Sequence, residues 1–162
     1  MYILVTGGAG YIGCHTVRAL QKEGFKVVVL DNLINGHKDI IEKVLKVPLV
    51  IGDIGDTKLV EKILNGAHES TKGEPITGVV HFAAFAYVGE SVINPSKYFK
   101  NNVANTICLL DSLLRVSKKR AETNSYYQIP IVFSSTCATY GIPDSYPILE
   151  STKQKPINPY GE

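Results

Sequence analysis

Cysteine is scarce in this chain, and the three present do not form a pattern. Cys14, Cys108 and Cys137 are odd in number and far apart, which argues against a disulfide framework or a zinc site and for a reducing compartment, the cytoplasm. No stretch approaches the roughly 18 consecutive apolar residues that a membrane span needs. The apolar start, Met1 to Val5, runs straight into glycines without a basic flank or a long apolar core, so it does not read as a signal peptide. An excess of one charge is lacking too: 17 Lys and Arg against 15 Asp and Glu, with signs interspersed, leave a net +2 and no footprint for nucleic acid. The one basic cluster, Lys118-Lys119-Arg120, reads as the solvated end of a helix. Internal repeats and low-complexity segments are absent. What is there, 162 residues with 44% hydrophobic content, suffices for one core and one domain.

Along the chain, short apolar runs alternate with helical patterns, the rhythm of parallel β-α units. Strands are expected at Tyr2–Thr6, Lys26–Leu30, Pro48–Ile51, Gly78–Phe82 and Ile129–Ser134, each rich in Val, Ile or Leu as strands buried on both faces are. Helices are expected at about residues 11–23, 39–46, 57–66 and 95–119, the last opened by Asn94-Pro95. The polar stretches Ala67–Pro75 and Lys118–Gln128 read as surface loops.

The first strand-to-helix junction carries chemistry. Strand residues Ile3-Leu4-Val5 lead into Thr6-Gly7-Gly8-Ala9-Gly10-Tyr11-Ile12-Gly13, then into a helix with apolar positions at Ile12, Val17 and Leu20. Bare backbone at Gly7 and Gly10 lets a pyrophosphate approach the helix N-terminus, whose unpaired amides and positive dipole end stabilise its charge. Gly13 lets the helix pack closely on the sheet, although a tight turn also needs glycine for steric reasons. Asp31 ends the second strand, eighteen positions past Gly13, where a carboxylate can accept from adenosine ribose hydroxyls and repel a 2′-phosphate; this favours NAD over NADP. Its other reading is a cap on the following turn with Asn32. Asp53, ending the third strand before Ile54, has the same two readings, with the adenine amino group as its ligand partner.

The fourth strand ends in His81-Phe82-Ala83-Ala84, small residues that leave room for a flat ligand, and His81 reads as a hydrogen-bonded structural histidine. Asn101 and Asn102 fall mid-helix, so one of them is expected to bond to something specific, with surface exposure as the alternative. The fifth strand delivers Phe133-Ser134-Ser135-Thr136-Cys137-Ala138-Thr139-Tyr140-Gly141, and twenty-four residues beyond Thr136 comes Tyr160. A hydroxyl and a phenol so placed can converge on one substrate hydroxyl. A free phenol, with a pKa near 10, needs neighbouring positive charge to act as a base at neutral pH.

These segments together resemble the extended short-chain dehydrogenase/reductase superfamily and, within it, the UDP-glucose 4-epimerases and UDP-arabinose 4-epimerases. The resemblance runs through Val5 to Gly13, Asp31-Asn32-Leu33, Gly52-Asp53-Ile54, His81 to Ser91, Asn101-Asn102-Val103, Ser134 to Gly141 and Pro156 to Gly161. It implies an α/β fold: a Rossmann-like doubly wound parallel sheet of about five strands in the order 3-2-1-4-5. Residues 1–162 are then an NAD-binding domain, truncated ahead of a C-terminal substrate domain. The resemblance also implies that Tyr11, Ile12, Asp31, Asn32, Asn35, Gly36, Asp53, Ile54, Phe82, Ala83 and Asn101 line NAD, together with the glycines Gly7, Gly10 and Gly13. Ala86 stands near the cofactor phosphates where many members carry lysine and the arabinose-type branch carries alanine. Thr136 takes the proton-relay position and Tyr160 the base position. The family's tyrosine has a lysine partner one helical turn later, whereas this chain ends at Glu162, inside that motif.

The activity so implied is reversible 4-epimerisation of a UDP-sugar through a 4-keto intermediate, with NAD retained as a prosthetic group and a homodimer built from two helices per subunit, of which residues 95–119 supply one. Related 4,6-dehydratases and decarboxylases need a further acid or base, and the dehydratases' Asp-Glu after the threonine is Cys137-Ala138 here. Cys14 and Cys137 are expected as small buried hydrophobes without a redox role. A non-catalytic NAD-binding chain is the alternative from another class. The sheet edges of the 162-residue chain are expected to promote some self-association. Purified residues 1–162 are expected to show no appreciable epimerisation, and an assay finding sugar inversion at near-normal turnover would refute this.

Overall fold

Neighbouring residues of a strand point to opposite faces, and in this chain both sets are apolar. Val28 and Leu30 enter one core while Val27 and Val29 enter the other, so the strand that carries them must be covered on both sides. The computed structural model describes residues 1–123 and 128–162. Its strands are β1 (Tyr2–Thr6), β2 (Lys26–Asp31), β3 (Leu49–Ile51), β4 (Ile76–His81) and β5 (Ile131–Phe133). They pair in parallel in the order β3-β2-β1-β4-β5, the expected doubly wound α/β arrangement. The helices are α1 (Tyr11–Lys22), α2 (Thr57–Leu64), α3 (Val88–Ile93), α4 (Pro95–Tyr98) and α5 (Asn105–Ala121). The chain divides into two compact units: Met1–Ala83 with Asn105–Ser134, and Ala84–Ala104 with Ser135–Glu162.

The first unit contains the whole sheet. Val60, Ile63 and Leu64 of α2 and Leu109, Leu113 and Val116 of α5 pack with Leu4, Leu30 and Ile76 on one face. Cys14 and Val17 of α1 pack with Ile41 of the π-helical segment Ile40–Leu45 against Val5 and Val29 on the other. Each fully buried aliphatic side chain contributes about 1.5–3 kcal/mol of transfer free energy. Local signals set the helix ends. Asp56 caps α2 by accepting from Leu59 N at 3.0 Å, and α1 stops at Gly24, whose φ of +78° and bond to Gln21 O turn the chain towards β2.

Several elements differ from the sequence reading, and the helix expected at about residues 39–46 is the π-helical segment Ile40–Leu45. β4 begins at Ile76 instead of Gly78 because fully buried Ile76 pairs with Tyr2 across a register shift, which Thr77 Oγ1 bridges by donating to Tyr2 O. β5 is shorter than expected because Pro130 offers no N–H and Ile129 N bonds to Ser117 Oγ instead. The expected helix 95–119 is α4, a π-helical segment Phe99–Ala104 and α5, which runs on to Ala121. Helix α3 lies where no element was expected. The loop read over Ala67–Pro75 holds a single 3-10 turn, Glu69–Thr71; of the loop read over Lys118–Gln128, residues 124–127 lie outside those described. No helix among the described residues is long and apolar enough to cross a membrane.

His81, closing β4, is 3% exposed and holds two threonines: Nδ1 lies 2.6 Å from Thr6 Oγ1 and Nε2 lies 3.1 Å from Thr106 Oγ1. Burial pushes its pKa down to about 4. As pH falls below the ordinary value of 6.5, the unfolded chain binds a proton that the folded chain refuses. Stability present above pH 6.5 is therefore expected to be lost progressively down to about pH 4, by up to about 3 kcal/mol. Urea unfolding across that range checks this, and His81→Gln is expected to flatten the dependence.

Candidate functional site

The turn after β1 is built from contacts that no side chain would permit. Gly7 has φ +70°, and a Cβ there would lie 2.6 Å from Ala83 N; a Cβ on Gly13 would lie 2.3 Å from Gly7 O. Gly13 thus seats α1 on the glycine turn itself, rather than on the sheet as the sequence suggested. Gly10 differs, since a Cβ there meets only Gly7 O at 3.4 Å. As the residue before α1, Gly10 brings no side-chain cap, and Cys14 N is the first amide to bond back, to Gly10 O at 2.9 Å. The amides of Tyr11, Ile12 and Gly13 have no acceptor among the described residues, while the Tyr11 and Ile12 side chains are exposed. Three unpaired donors at the positive end of a 12-residue helix form a seat for an anion.

Asp31 is 8% exposed and braces this seat. Its Oδ2 accepts from Ala9 N at 3.0 Å and its Oδ1 from Leu33 N at 2.8 Å, the second bond holding Leu33 at φ +61°. The turn-capping reading of Asp31 is therefore realised. Each oxygen nevertheless keeps an acceptor position, which suits a vicinal diol such as a ribose. Gly36 is pressed against the same carboxylate, a Cβ there falling 2.7 Å from Asp31 Oδ1 and 2.8 Å from Ala9 Cβ, and adjacent Asn35 is exposed. Asn32 Nδ2 donates to Asp53 Oδ2 at 3.2 Å, and Asp53 Oδ1 accepts from Gly55 N at 2.8 Å and Asn105 Nδ2 at 2.9 Å. Ile54 is 3% exposed and its side chain belongs to the core, so only its backbone is left for a ligand.

Strand order reverses between β1 and β4, so the crevice of this fold opens where Gly7 meets the half-buried Phe82 and Ala83. The second unit carries the other expected residues. Ala86 is exposed, and Asn101 Nδ2 donates to Asn102 Oδ1 at 2.9 Å. Of the two asparagines, Asn102 is the one that bonds to something specific. It clasps the Phe85 peptide, accepting from its N and donating to its O, both at 2.9 Å. Buried Tyr98 shares its hydroxyl between Tyr87 O and Glu90 Oε2, each at 2.8 Å. Burial first, then the bond to Glu90 and its charge, pushes that phenol up to about 12. Bonds from Lys97, at 2.6 Å, and from Tyr98 hold the Glu90 carboxyl below its usual range.

Thr136 precedes the 3-10 turn Cys137–Tyr140 and accepts from Ala138 N at 3.1 Å, which leaves its hydroxyl proton free to be donated. Cys137 is exposed, contrary to the expectation of burial. The segment of Tyr160 packs on this turn: a Cβ on Gly161 would lie 2.5 Å from Ala138 O. Tyr160 N donates to Oγ of fully buried Ser91 at 3.3 Å, its ring meets that of Tyr98 edge-on at 6.4 Å, and no described residue bonds to its phenolic oxygen. Asn102 is one of the two asparagines expected to bond to something specific, whereas Ser91, Tyr98 and Asn105 were missed as supporting residues. Only a polar residue inside an otherwise helical pattern hinted at them.

A doubly wound parallel sheet with an uncapped helix after a glycine turn and an acidic residue closing β2 defines a dinucleotide-binding class of α/β protein. A family model described as GDP-mannose 4,6 dehydratase matches residues 4–162, and the chain belongs to that family. The UDP-glucose 4-epimerase of Lactobacillus helveticus is 48% identical over 162 residues, 100% of this chain and 43% of its own length. Probable UDP-arabinose 4-epimerase 3 of Arabidopsis thaliana is 41% identical over 99% of this chain and 37% of its own length. Among solved structures, UDP-glucose 4-epimerase from Brucella ovis in complex with NAD matches with a TM-score of 0.79 at 42% identity, over 99% of this chain and 43% of that one. UDP-glucose 4-epimerase from Stenotrophomonas maltophila, with bound NAD and formylated UDP-arabinopyranose, gives 0.84 at 33% identity, over 99% and 44%. The chain thus spans about two fifths of the length of these relatives.

The three glycines should separate by experiment. Gly7→Ala and Gly13→Ala are expected to destabilise the fold by about 2 kcal/mol or more in urea unfolding, and Gly10→Ala by less than about 1 kcal/mol.

Proposed function

We propose that this chain is the NAD-holding part of a UDP-sugar 4-epimerase, an isomerase acting on sugars of the UDP-glucose/UDP-galactose type in the cytoplasm. One observation carries the cofactor reading: Asp31 retains an acceptor on each oxygen beside the unpaired amides that open α1. These groups fit the ribose and pyrophosphate of a dinucleotide, and the buried negative charge of Asp31 disfavours a 2′-phosphate. Gly7, Gly10 and Gly13 keep the turn bare, Asn32, Asn35 and Gly36 flank the ribose position, and Asp53 serves the adenine. Tyr11 and Ile12 act through their backbone amides, as does Ile54, and Phe82 and Ala83 complete the lining within the first unit, while Ala86 and Asn101 of the second unit are assigned to the cofactor by the family resemblance alone. NAD, when bound, supplies the hydride acceptor for C4 of the sugar, which becomes a 4-keto sugar and is then reduced on its other face.

The chain's own contribution is proton transfer. Tyr160, its phenolic oxygen unengaged, takes the proton of the sugar 4-hydroxyl, and Thr136, whose oxygen already accepts from Ala138 N, relays it through its free O–H. Cys137 and Ala138 bring no carboxyl acid, which supports net epimerisation over the elimination that a dehydratase performs. The odd number and wide sequence spacing of Cys14, Cys108 and Cys137 support a reducing compartment. An exposed apolar row on α5, Ile107, Leu110 and Leu114, supports a homodimer.

Calorimetric titration of the chain tests the cofactor reading, with NADP expected to bind at least about tenfold more weakly than NAD. In the protein that carries this chain, Tyr160→Phe is expected to lower kcat for UDP-galactose by about a hundredfold or more with NAD content unchanged. Comparable affinity for both dinucleotides, or an unaltered kcat, would overturn the corresponding half of the proposal.

A further inference from the structure

The carboxylate of Asp53 is held by donors from three segments. Oδ1 accepts from Gly55 N at 2.8 Å and from Asn105 Nδ2 at 2.9 Å, and Oδ2 accepts from Asn32 Nδ2 at 3.2 Å. A carboxylate offers about four acceptor positions. Three are occupied here, two of them on Oδ1, so the one left over belongs to Oδ2. Asn105 reaches Asp53 from the first residue of α5, across 52 positions of sequence, although asparagine does little for a helix. Space for its amide depends on Gly55, because a Cβ there would lie 2.8 Å from both Asn105 Cγ and Oδ1.

We infer that Asn105 is a positioning residue for adenine recognition: with Gly55 N it immobilises Oδ1 of Asp53, so that Oδ2 alone accepts from the 6-amino group of the dinucleotide's base. The inference rests on the cofactor reading above and deepens it. The terminal torsion of an aspartate is broad, and an unrestrained carboxylate would present either oxygen over a range of angles. Two donors on one oxygen remove that freedom before a ligand arrives, which lowers the ordering cost of binding. Asn105 bonds to the carboxylate and not to the ligand, so it selects the base at one remove.

Nicotinamide hypoxanthine dinucleotide, which carries a carbonyl in place of the 6-amino group, reads this contact directly. Titrated in parallel, the unaltered chain is expected to prefer NAD by about tenfold, the worth of one hydrogen bond to a charged acceptor. Asn105→Ala, which suits the helix, and Gly55→Ala, which displaces the Asn105 amide, are each expected to reduce that preference to about threefold or less. Each preference is a ratio of two affinities in one sample, so a loss of folded protein leaves it unchanged. A preference that survives both substitutions overturns the inference while leaving the cofactor reading intact, and so does an unaltered chain that binds both dinucleotides equally. Failure of the unaltered chain to bind either one overturns the cofactor reading and the inference with it.

Discussion

Everything at the carboxyl end of this sheet hangs on how tightly the turn after β1 can fold. Gly13 rests on Gly7 O where a Cβ would stand at 2.3 Å, and Gly7 in turn rests on the backbone at Ala83. Those contacts bring the first turn of α1 down onto the strand ends, aiming the unpaired amides of Tyr11, Ile12 and Gly13 outward. The glycines cost conformational entropy, roughly 0.5–1 kcal/mol each relative to alanine, and the doubly covered sheet offsets it. Move α1 away by the width of a methyl group and the anion seat no longer lies beside the crevice where strand order reverses.

Around that turn, carboxylates act as braces with capacity to spare. Asp31 ties Ala9 of the glycine turn to Leu33 of the next loop, and Asp53 ties Asn32, Gly55 and Asn105 together. A structural reading and a ligand-binding reading of such residues do not compete. A carboxylate has more acceptor positions than two or three backbone and amide donors consume, and the same bonds that satisfy it hold it still for a ligand.

The second unit uses polar side chains where the first uses aliphatic packing. Asn102 clasps the Phe85 peptide from within a π-helical turn, Ser91 bonds to Val88 O and receives Tyr160 N, and Tyr98 joins Tyr87 to Glu90. Of these, the Ser91 bond holds the backbone of the segment bearing Tyr160, whose neighbour Gly161 lies against the Thr136 turn at Ala138 O. The two groups assigned to proton transfer are thus carried on segments packed together within one unit.

Much of the scaffold could be read directly. Strands β1 and β2 and helix α1 follow from Val-rich runs, a glycine turn and an acidic strand end, because a parallel sheet is covered on both faces, while the order of the sheet was implied by the family resemblance. Helix α3 escaped notice because Gly89 and Asn94-Pro95 break its pattern at both ends, and the π-helical turn Phe99–Ala104 escaped because the Asn102–Phe85 clasp made from within it spans seventeen positions. Residue type and spacing by themselves determined the α/β class, the two-sided core and the presence of Asp31, Asp53, Thr136 and Tyr160 at strand and segment ends. Only the tertiary structure decided which side chains hold those residues in place. Asn105 meets Asp53 across 52 positions and Ser91 meets Tyr160 across 69, and such long-range bonds exist only once the chain has folded.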